Sequence, residues 1–470
     1  MNDADILSQI KGLTADSRMV CKGGLFAALQ GKIADGRLFI ADALTNGAAF
    51  ILAPEGTTLP EGARATLLTD TNPRRRFALL AAGFYRSQPH TIAAVTGTNG
   101  KTSTVTFASQ LWDALGHTSA SLGTLGIVSR ITMKKGGLTT PDPVQLHAEL
   151  ADLAGAGVTH LAMEASSIGI DQSRLDGVKL SAAAFTNLTH DHLDYHGTME
   201  AYFASKTRLF DTLLPKDAPA VIYTDDEYGA RLSSMVSQPK IRIGSAPDCE
   251  IRLVKQTPTP FGQILDVSAN GKSFTINLPL VGLFQGVNAL TAAGIVMGTE
   301  KISFDILVPH LEKLQGVPGR LQLVPGAPVY VDYAHTPHGL ETVLKALRPH
   351  TAGRLVVVFG CGGDRDKGKR PVMGGIATKL ADLAIITDDN PRSENPGIIR
   401  AEIRAGAPNS AEIGDRRTAI REAVAGLDAG DVLVIAGKGH EQGQIVGSNV
   451  LPFDDVEEAA NAIKEMKRAL

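Results

Sequence analysis

Hydrophobic and polar positions change rhythm along the chain, dividing it into three stretches. From residue 1 to 88, short apolar runs alternate with polar turns. Gly24–Leu29 reads as a strand, Phe39–Asn46 as a helix after the turn Gln30–Gly36, and Pro73–Tyr85 as a helix that begins basic and ends apolar. Ser87-Gln88-Pro89 has linker composition. The second stretch opens with a β-branched apolar run, Thr91–Val95, and continues with helical segments and the apolar runs Thr159–Met163 and Ala182–Thr186. Further on, Ile251–Val254, Gln263–Val267 and Phe274–Leu278 alternate with period two. Asn270-Gly271 between the last two is a hairpin signal, so a β-rich insert is expected. Leu283–Leu290 then opens a helix. In the third stretch, four buried-strand runs, Val329–Tyr333, Leu355–Phe359, Leu383–Thr387 and Val432–Ala436, are separated by helical segments, the pattern of a doubly wound, mainly parallel sheet. The predicted fold is α/β in three domains: a small N-terminal α/β domain (1–88), a central α/β domain with a β-rich insert (89–317) and a C-terminal Rossmann-like α/β domain (318–470).

The run Thr91–Val95 breaks into Gly97-Thr98-Asn99-Gly100, continues as Lys101-Thr102 and enters a helix. Ala108, Leu111, Trp112 and Leu115 form its buried face and Gly116 stops it. Strand, glycine turn, Lys-Thr and helix form the layout of a phosphate-binding loop. Backbone N–H groups and the helix N-terminus face the anion, Lys101 reaches the β- and γ-phosphates, and the Thr102 hydroxyl is placed for Mg²⁺. Val95 stands where the usual pattern has its first glycine, so an ordinary βα turn is the competing reading. The strand before and the amphipathic helix after favour a P-loop ATPase-like domain that binds ATP.

In such a sheet, ligands bind at the carboxyl ends of strands. Glu164 ends the run Thr159–Met163 and is a natural Mg²⁺ ligand there; a solvated loop glutamate is the alternative. The loop after Ala182–Thr186 packs three histidines and two aspartates into His190–His196, in a chain with 12 His. One reading has His192 help hold a metal at an ATP site. The other is a metal-dependent hydrolase built on the cluster, although Tyr195 stands where zinc hydrolases of that kind have a histidine. Lys206, in the helix Met199–Phe210, reads on composition as a solvated surface residue. In the N-terminal stretch, Ser17-Arg18 suits a phosphate or hydroxyl-rich ligand, or a loop that caps a helix.

Each strand of the third stretch ends in polar chemistry: Asp332–Pro337, Gly360–Arg370, Asp388–Arg392 and Gly437–Glu441. Four such loops at one edge of a sheet define a binding site, and the mixture of Arg with Asp and Glu suits a zwitterion. Arginines clamp a carboxylate and acidic groups hold an ammonium.

Composition narrows the partners. The 470 residues carry a net charge of −3, which leaves no basic footprint for nucleic acid. No apolar run is long enough to span a bilayer, and the acidic N-terminus lacks signal-peptide character. Cys21, Cys249 and Cys361 are too scattered for a disulfide framework or a paired metal motif, which fits a reducing cytoplasm.

Thr96–Thr102 (T-G-T-N-G-K-T) with G-C-G-G-D-R-D, D-D-N-P-R and G-K-G-H-E resembles the ATP-dependent Mur ligases of peptidoglycan synthesis, over essentially the whole chain. The resemblance implies an amide-bond ligase that adds meso-2,6-diaminopimelate to UDP-N-acetylmuramoyl-L-alanyl-D-glutamate, with Asp389-Asn390-Pro391-Arg392 separating it from lysine-adding relatives. A folylpolyglutamate-synthase-like ligase would share the architecture without that loop or an N-terminal UDP domain. By the same resemblance, Ser17 and the turn near Lys32–Ala34 hold the uridine-diphosphate end. Thr139, Thr140, Ser166, Gln172 and Arg174 hold the muramoyl-dipeptide. Gly97, Thr98, Asn99, Gly100, Lys101 and Thr102 bind ATP with Asn288, Arg320 and Asp332. Thr102, Glu164 and His192 are Mg²⁺ ligands, joined by a carbamylated Lys206. Arg365, Asp389, Asn390, Pro391, Arg392, Gly437 and Glu441 bind the incoming amino acid. The enzyme is expected to be a monomer. Ile168, Leu138 and Gln285 depart from residues common in the family, and bear on details of substrate and adenine contact.

Overall fold

The computed structural model describes residues 2–31 and 34–469. The chain forms two compact units, Met1–Ile251 with Thr291–Ser303, and Arg252–Leu290 with Phe304–Leu470.

The first unit holds two sheets. Leu13–Thr14, Leu25–Ala27, Phe50–Pro54 and Thr66–Asp70 form a four-stranded parallel sheet. The helix Pro73–Tyr85 packs Phe77, Leu80 and Ala81 into its core. In the second sheet the strands run in the order Lys240–Gly244, Ala220–Tyr223, Ala182–Phe185, Thr91–Thr96, His160–Glu164, Ser119–Gly123, Gly126–Ser129 and Met133–Lys134. All neighbours are parallel up to Ser119–Gly123, and the last two strands return antiparallel. Thr91–Thr96 is buried at all six positions because helices cover both faces, which is why the run carries no polar alternation. Register sets the working edge: Val95 pairs with Glu164 and Thr96 with Phe185, so the glycine turn, Glu164 and the segment after Phe185 leave the sheet side by side.

The second unit contains a meander, Ile251–Thr259, Gly262–Ala269 and Lys272–Leu278. Leu265, Val267, Ala269, Ile276 and Leu278 are buried while the residues between them are not, the period-two pattern of a sheet with one wet face. Asn270 (φ +52°) and Gly271 (φ +72°) make the primed turn that the dipeptide predicts. A six-stranded sheet runs in the order Gln322–Val324, Val329–Asp332, Val432–Ala436, Leu355–Phe359, Leu383–Ile386 and Ala411–Glu412, parallel except for its first pair. Val357 and Phe359 face a core with Leu340, Met373 and Ile403, while Val356 and Val358 face another with Ile420, Val424 and Ile463. Asp332 and Phe359 both pair with Ala436, and Phe359 with Ile386, so four strands end in line and deliver their polar tails to one edge.

Candidate active site

The turn after Thr91–Thr96 can form only because of its glycines. A Cβ on Gly97 would lie 1.9 Å from Thr186 Oγ1, and Gly100 caps the helix Lys101–Ala114 in the left-handed region (φ +86°). The segment after Ala182–Phe185 braces the loop. Thr98 N donates to Asn187 O (2.9 Å), Asn99 N to Asn187 Oδ1 (3.0 Å), and Thr186 Oγ1 to Asn99 O (2.6 Å). The helix N-terminus and Lys101 therefore present a fixed electropositive cradle. Lys101 Nζ donates to Gly97 O (2.9 Å) and Thr98 O (2.8 Å).

Glu164 and Thr102 meet at the foot of this cradle. Thr102 Oγ1 donates to Glu164 Oε1 (2.9 Å), which also accepts from Thr124 N (2.8 Å), while Thr124 Oγ1 lies 3.3 Å from Oε2. A Cβ on Gly123 would fall 2.2 Å from Glu164 Oε1, so that glycine makes room for the carboxylate. Gly123 and Thr124 had no sequence signal of their own, since Ser119–Gly123 is too small and polar to stand out as a strand. The set of hard oxygens, one hydroxyl and one carboxylate beside a phosphate cradle, fits Mg²⁺. His192, also expected to hold the metal, has a ring that is nearly half exposed and lies 3.7 Å from Asp191 and 6.0 Å from the Tyr202 ring.

Lys206 corrects the solvated reading. It is 1% exposed, donates to Gly97 O (2.8 Å) and stands 4.7 Å from the Tyr202 ring centroid. Burial, then the nearby Lys101 charge, push its ammonium well below the usual lysine range.

The hydrolase reading is corrected too. Among the described residues, the cluster His190–His196 gathers no set of three metal donors. His196 instead stacks on Tyr202 (5.0 Å) with its Nε2 3.0 Å from Ser167 Oγ, and His192 has turned outward with φ +52°.

Five residues expected to hold the dipeptide share one network with Glu164. Thr139 Oγ1 lies 3.2 Å from Thr124 Oγ1. Thr140 Oγ1 donates to Glu164 O (3.0 Å) and accepts from Ser166 N (3.0 Å). Arg174 donates to Thr140 O (2.8 Å) and Gln172 Oε1 (2.8 Å), and Gln172 continues to Tyr195 Oη (3.2 Å), which donates to Asp171 (2.7 Å). Gln172 and Arg174 line a cavity of about 630 Å³ with Thr14, Asp16, Met19, Arg74 and Tyr85. Ser17 does not line it. It is buried in the turn beside Asp16, with its carbonyl accepting from Asn46 Nδ2 (2.9 Å). Lys32 and Ile33 lie outside the described residues.

In the second unit, Asn288 donates to Gln285 Oε1 (3.0 Å), and Gln285 donates to Arg320 O (3.3 Å). Asp332 accepts from Leu321 N (2.7 Å) and Ala334 N (2.8 Å), and burial raises its carboxyl above the usual range. The Arg320 guanidinium lies over the Tyr333 ring at 4.8 Å. The three residues expected near ATP thus form one cluster, with Gln285, a departure from the family pattern, as its bridge.

The aligned strand ends enclose a cavity of about 700 Å³ lined by Tyr333, His335, Arg365, Asp389, Asn390, Arg392, Gly437 and Glu441, among others. Six of the seven residues expected to bind the amino acid are here; Pro391 is buried behind the wall. Lys438, fully buried, donates to Asn390 Oδ1 (3.0 Å) and lies 3.3 Å from Glu441 Oε2, and Asn390 Nδ2 donates to the same oxygen (2.9 Å). Gln444 donates to Asp389 O (2.7 Å). Arg392 adopts φ +51° and donates to Gly363 O (2.8 Å), which turns its guanidinium along the cavity wall. The cavity offers cationic and anionic groups together, the requirement for a zwitterion.

A phosphate cradle in one α/β unit and a zwitterion cavity in another define a nucleotide-dependent acid–amine ligase. The catalytic-domain profile of the Mur ligase family matches residues 9–85, the Mur ligase middle domain residues 95–296, and the Mur ligase glutamate ligase domain residues 319–439. A Caulobacter vibrioides protein named UDP-N-acetylmuramoyl-L-alanyl-D-glutamate–2,6-diaminopimelate ligase is 54% identical over 97% of this chain and 96% of its own. The Rhizobium meliloti protein of that name is 52% identical over 97% and 94%. A solved structure of the same name superposes with a TM-score of 0.74 at 34% identity, covering 97% of this chain and 95% of that one. The chain belongs to the Mur ligase family and has its three-domain α/β fold. A Mycobacterium tuberculosis folylpolyglutamate synthase complexed with ADP, 20% identical with a TM-score of 0.61, shares the fold alone. Among the described residues, no helix is long and apolar enough to cross a membrane.

Proposed function

We propose that the chain joins 2,6-diaminopimelate, as the meso isomer, to UDP-N-acetylmuramoyl-L-alanyl-D-glutamate at the expense of ATP, in peptidoglycan precursor synthesis. The observation that carries this reading is the cavity lined by Arg365 and Arg392 together with Asp389 and Glu441, in a chain about half identical, end to end, to ligases of that name.

In this mechanism the γ-carboxylate of the D-glutamyl residue attacks the γ-phosphorus of ATP, giving an acyl phosphate and ADP. The amine of diaminopimelate then attacks the acyl carbon, and the tetrahedral intermediate collapses to the amide and phosphate. Catalysis of this kind is mainly positioning and electrostatics. Lys101 and the loop N–H groups hold the phosphates. Thr102 and Glu164 would hold Mg²⁺, which neutralises phosphate charge when bound. Arg174 and Gln172 hold the dipeptide. Arg392 and Arg365 hold the carboxylate of the amino acid, and Asp389, Asn390 and Glu441 its ammonium. The buried Lys206 amine, whose proton is held less tightly than usual, would add to CO₂ once deprotonated, forming an N–C bond and releasing a proton. The carbamate that results is an anion beside Lys101 and the phosphates. The chain works in this reading as a cytoplasmic monomer.

The test is phosphate release from ATP by the purified protein with UDP-N-acetylmuramoyl-L-alanyl-D-glutamate and either meso-diaminopimelate or L-lysine. Release that needs both the nucleotide dipeptide and diaminopimelate is expected. Release with lysine instead would overturn the amino-acid assignment and keep the ligase.

A further inference from the structure

We propose that His117, His160 and Glu300 form a binding site for a transition-metal dication, best suited to zinc, at the end of the first unit's sheet opposite the phosphate loop. His160 opens the strand His160–Glu164, so it lies about 13 Å along the strand from Glu164. His117 sits in the turn after the helix Lys101–Ala114, and Glu300 ends the helix Leu283–Glu300. Three elements distant in sequence thus bring two imidazoles and a carboxylate together, with their ligand atoms all within 4.8 Å of one another.

The geometry is close to a coordination shell. Glu300 Oε1 is 3.2 Å from His160 Nε2, and Oε2 is 3.2 Å from His117 Nε2. Tetrahedral zinc with bonds near 2.0–2.1 Å separates its ligands by about 3.3 Å, and each imidazole nitrogen already stands at that spacing from one of the two carboxylate oxygens. The imidazoles must close up by at most about 1.5 Å. Outer groups hold the ligands in place. Trp112 Nε1 donates to Glu300 Oε1 (3.1 Å), and Thr159 Oγ1 lies 2.8 Å from His160 Nδ1, occupying the ring nitrogen that faces away from the carboxylate. Such partners orient metal ligands and select their tautomer. Two imidazoles and one carboxylate suit zinc and disfavour Mg²⁺, which prefers oxygen. The His117 side chain is one-third exposed, which gives a metal its way in and water the fourth position. A cation here pins the strand start, the turn and the helix end together. Its effect is on the stability of the first unit rather than on chemistry at Glu164.

The test uses the full-length protein stripped with chelator, then titrated with zinc chloride in a calorimeter and melted with and without the metal. One equivalent bound and a rise in Tm of roughly 5–10 °C at a hundredfold excess over Kd are expected. Cobalt(II) at the same site should give the visible bands of a four- or five-coordinate ion. His117→Ala, at the one-third exposed position, and the isosteric Glu300→Gln should both lose the equivalent and the shift. Zinc binding and a Tm rise unchanged in both variants would place the metal elsewhere and overturn the proposal. It would also fall if the wild-type protein bound no zinc, or if Mg²⁺ gave the same shift.

Discussion

Replacing Arg392 is the sharpest probe of the zwitterion cavity, because the protein uses little of this guanidinium. Its side chain donates to Gly363 O, and its backbone is held by Ile445 O (3.0 Å) and Gly447 N (2.7 Å), so the rest of the fork is available to a carboxylate on the cavity side. A bidentate pair of charge-assisted bonds is worth about 3 kcal/mol once exchange with water is counted. That corresponds to a rise of about two orders of magnitude in KM for diaminopimelate in Arg392→Ala. KM for ATP should move by less than a factor of about three, since the contacts of a remote substrate are untouched. Two controls separate side chain from backbone. Arg392 lies in the left-handed region (φ +51°), which costs a non-glycine residue about 1 kcal/mol. Arg392→Gly relieves that strain and Arg392→Ala keeps it, yet both should lose the same affinity for the amino acid. Arg392→Lys restores the charge without the fork and should recover only part. Initial rates of phosphate release with each substrate varied in turn give both constants. Equal rises in KM for ATP and for diaminopimelate, or a large difference between the Gly and Ala variants, would refute the carboxylate clamp.

The remaining predictions concern the loop, the buried lysine and the second core. Gly97→Ala places a methyl 1.9 Å from Thr186 Oγ1 and should raise KM for ATP more than about tenfold; adding Thr186→Ala should recover part of it, and no recovery would mean that the clash is not what displaces the loop. Lys206 has a folded-state pKa well below its ordinary 10.5. Between those two values the unfolded chain binds the proton and the folded chain does not. Stability should therefore rise with pH on the approach to the ordinary lysine value in bicarbonate-free buffer, and Lys206→Met should flatten this rise in Tm. Arg416 and Asp455 pair at 2.7 Å with both side chains fully buried, so Arg416→Ala should destabilise the second unit by about 3–5 kcal/mol in chemical denaturation.

How far the site was legible in the sequence follows from which interactions are local. The glycine turn and Lys101-Thr102 are contiguous, so their chemistry shows in the order of residues. The strand ends of the second unit were equally legible, because Leu355–Phe359 and Val432–Ala436 are buried on both faces and read as unbroken apolar runs that stop abruptly at polar residues. Lys206 was not legible. Helical periodicity in Met199–Arg208 cannot reveal that the face bearing it is covered by the carbonyl of Gly97, which is 109 residues away. Thr124 was missed for the same reason: its backbone N–H matters only because parallel pairing sets Ser119–Gly123 beside His160–Glu164. Lys438 stood in a conspicuous Gly-Lys-Gly-His-Glu segment, but its task, holding Asn390 and Glu441 from behind the wall, depends on the sheet order. His190–His196 misled in the opposite direction. Its density of metal-binding residue types is real, but among the described residues their ligand atoms form no set of three: His196 stacks on Tyr202 beside Ser167 and His192 faces Asp191.

One electrostatic conflict links these residues. Lys101 and Lys206 both donate to the carbonyl of Gly97, at 2.9 and 2.8 Å. Two ammonium groups on one acceptor, one of them buried, repel strongly. The conflict is relieved if one amine is uncharged, and burial and the Lys101 charge make Lys206 the one that holds its proton less tightly than usual. Loss of that proton exposes a nucleophilic nitrogen beside the loop that receives phosphate. The carbamylation proposed above would put an anion at the same position, and Lys101 would gain a counter-charge where it had a competitor. The pairs Lys101 with Gly97 O and Thr102 with Glu164 are likewise interactions that phosphate oxygens and a divalent cation would take over, since each protein partner offers a weaker charge than the ligand replacing it. The loop is therefore held in its working shape by bonds it can exchange, and the side chains need not search for their positions when the nucleotide arrives.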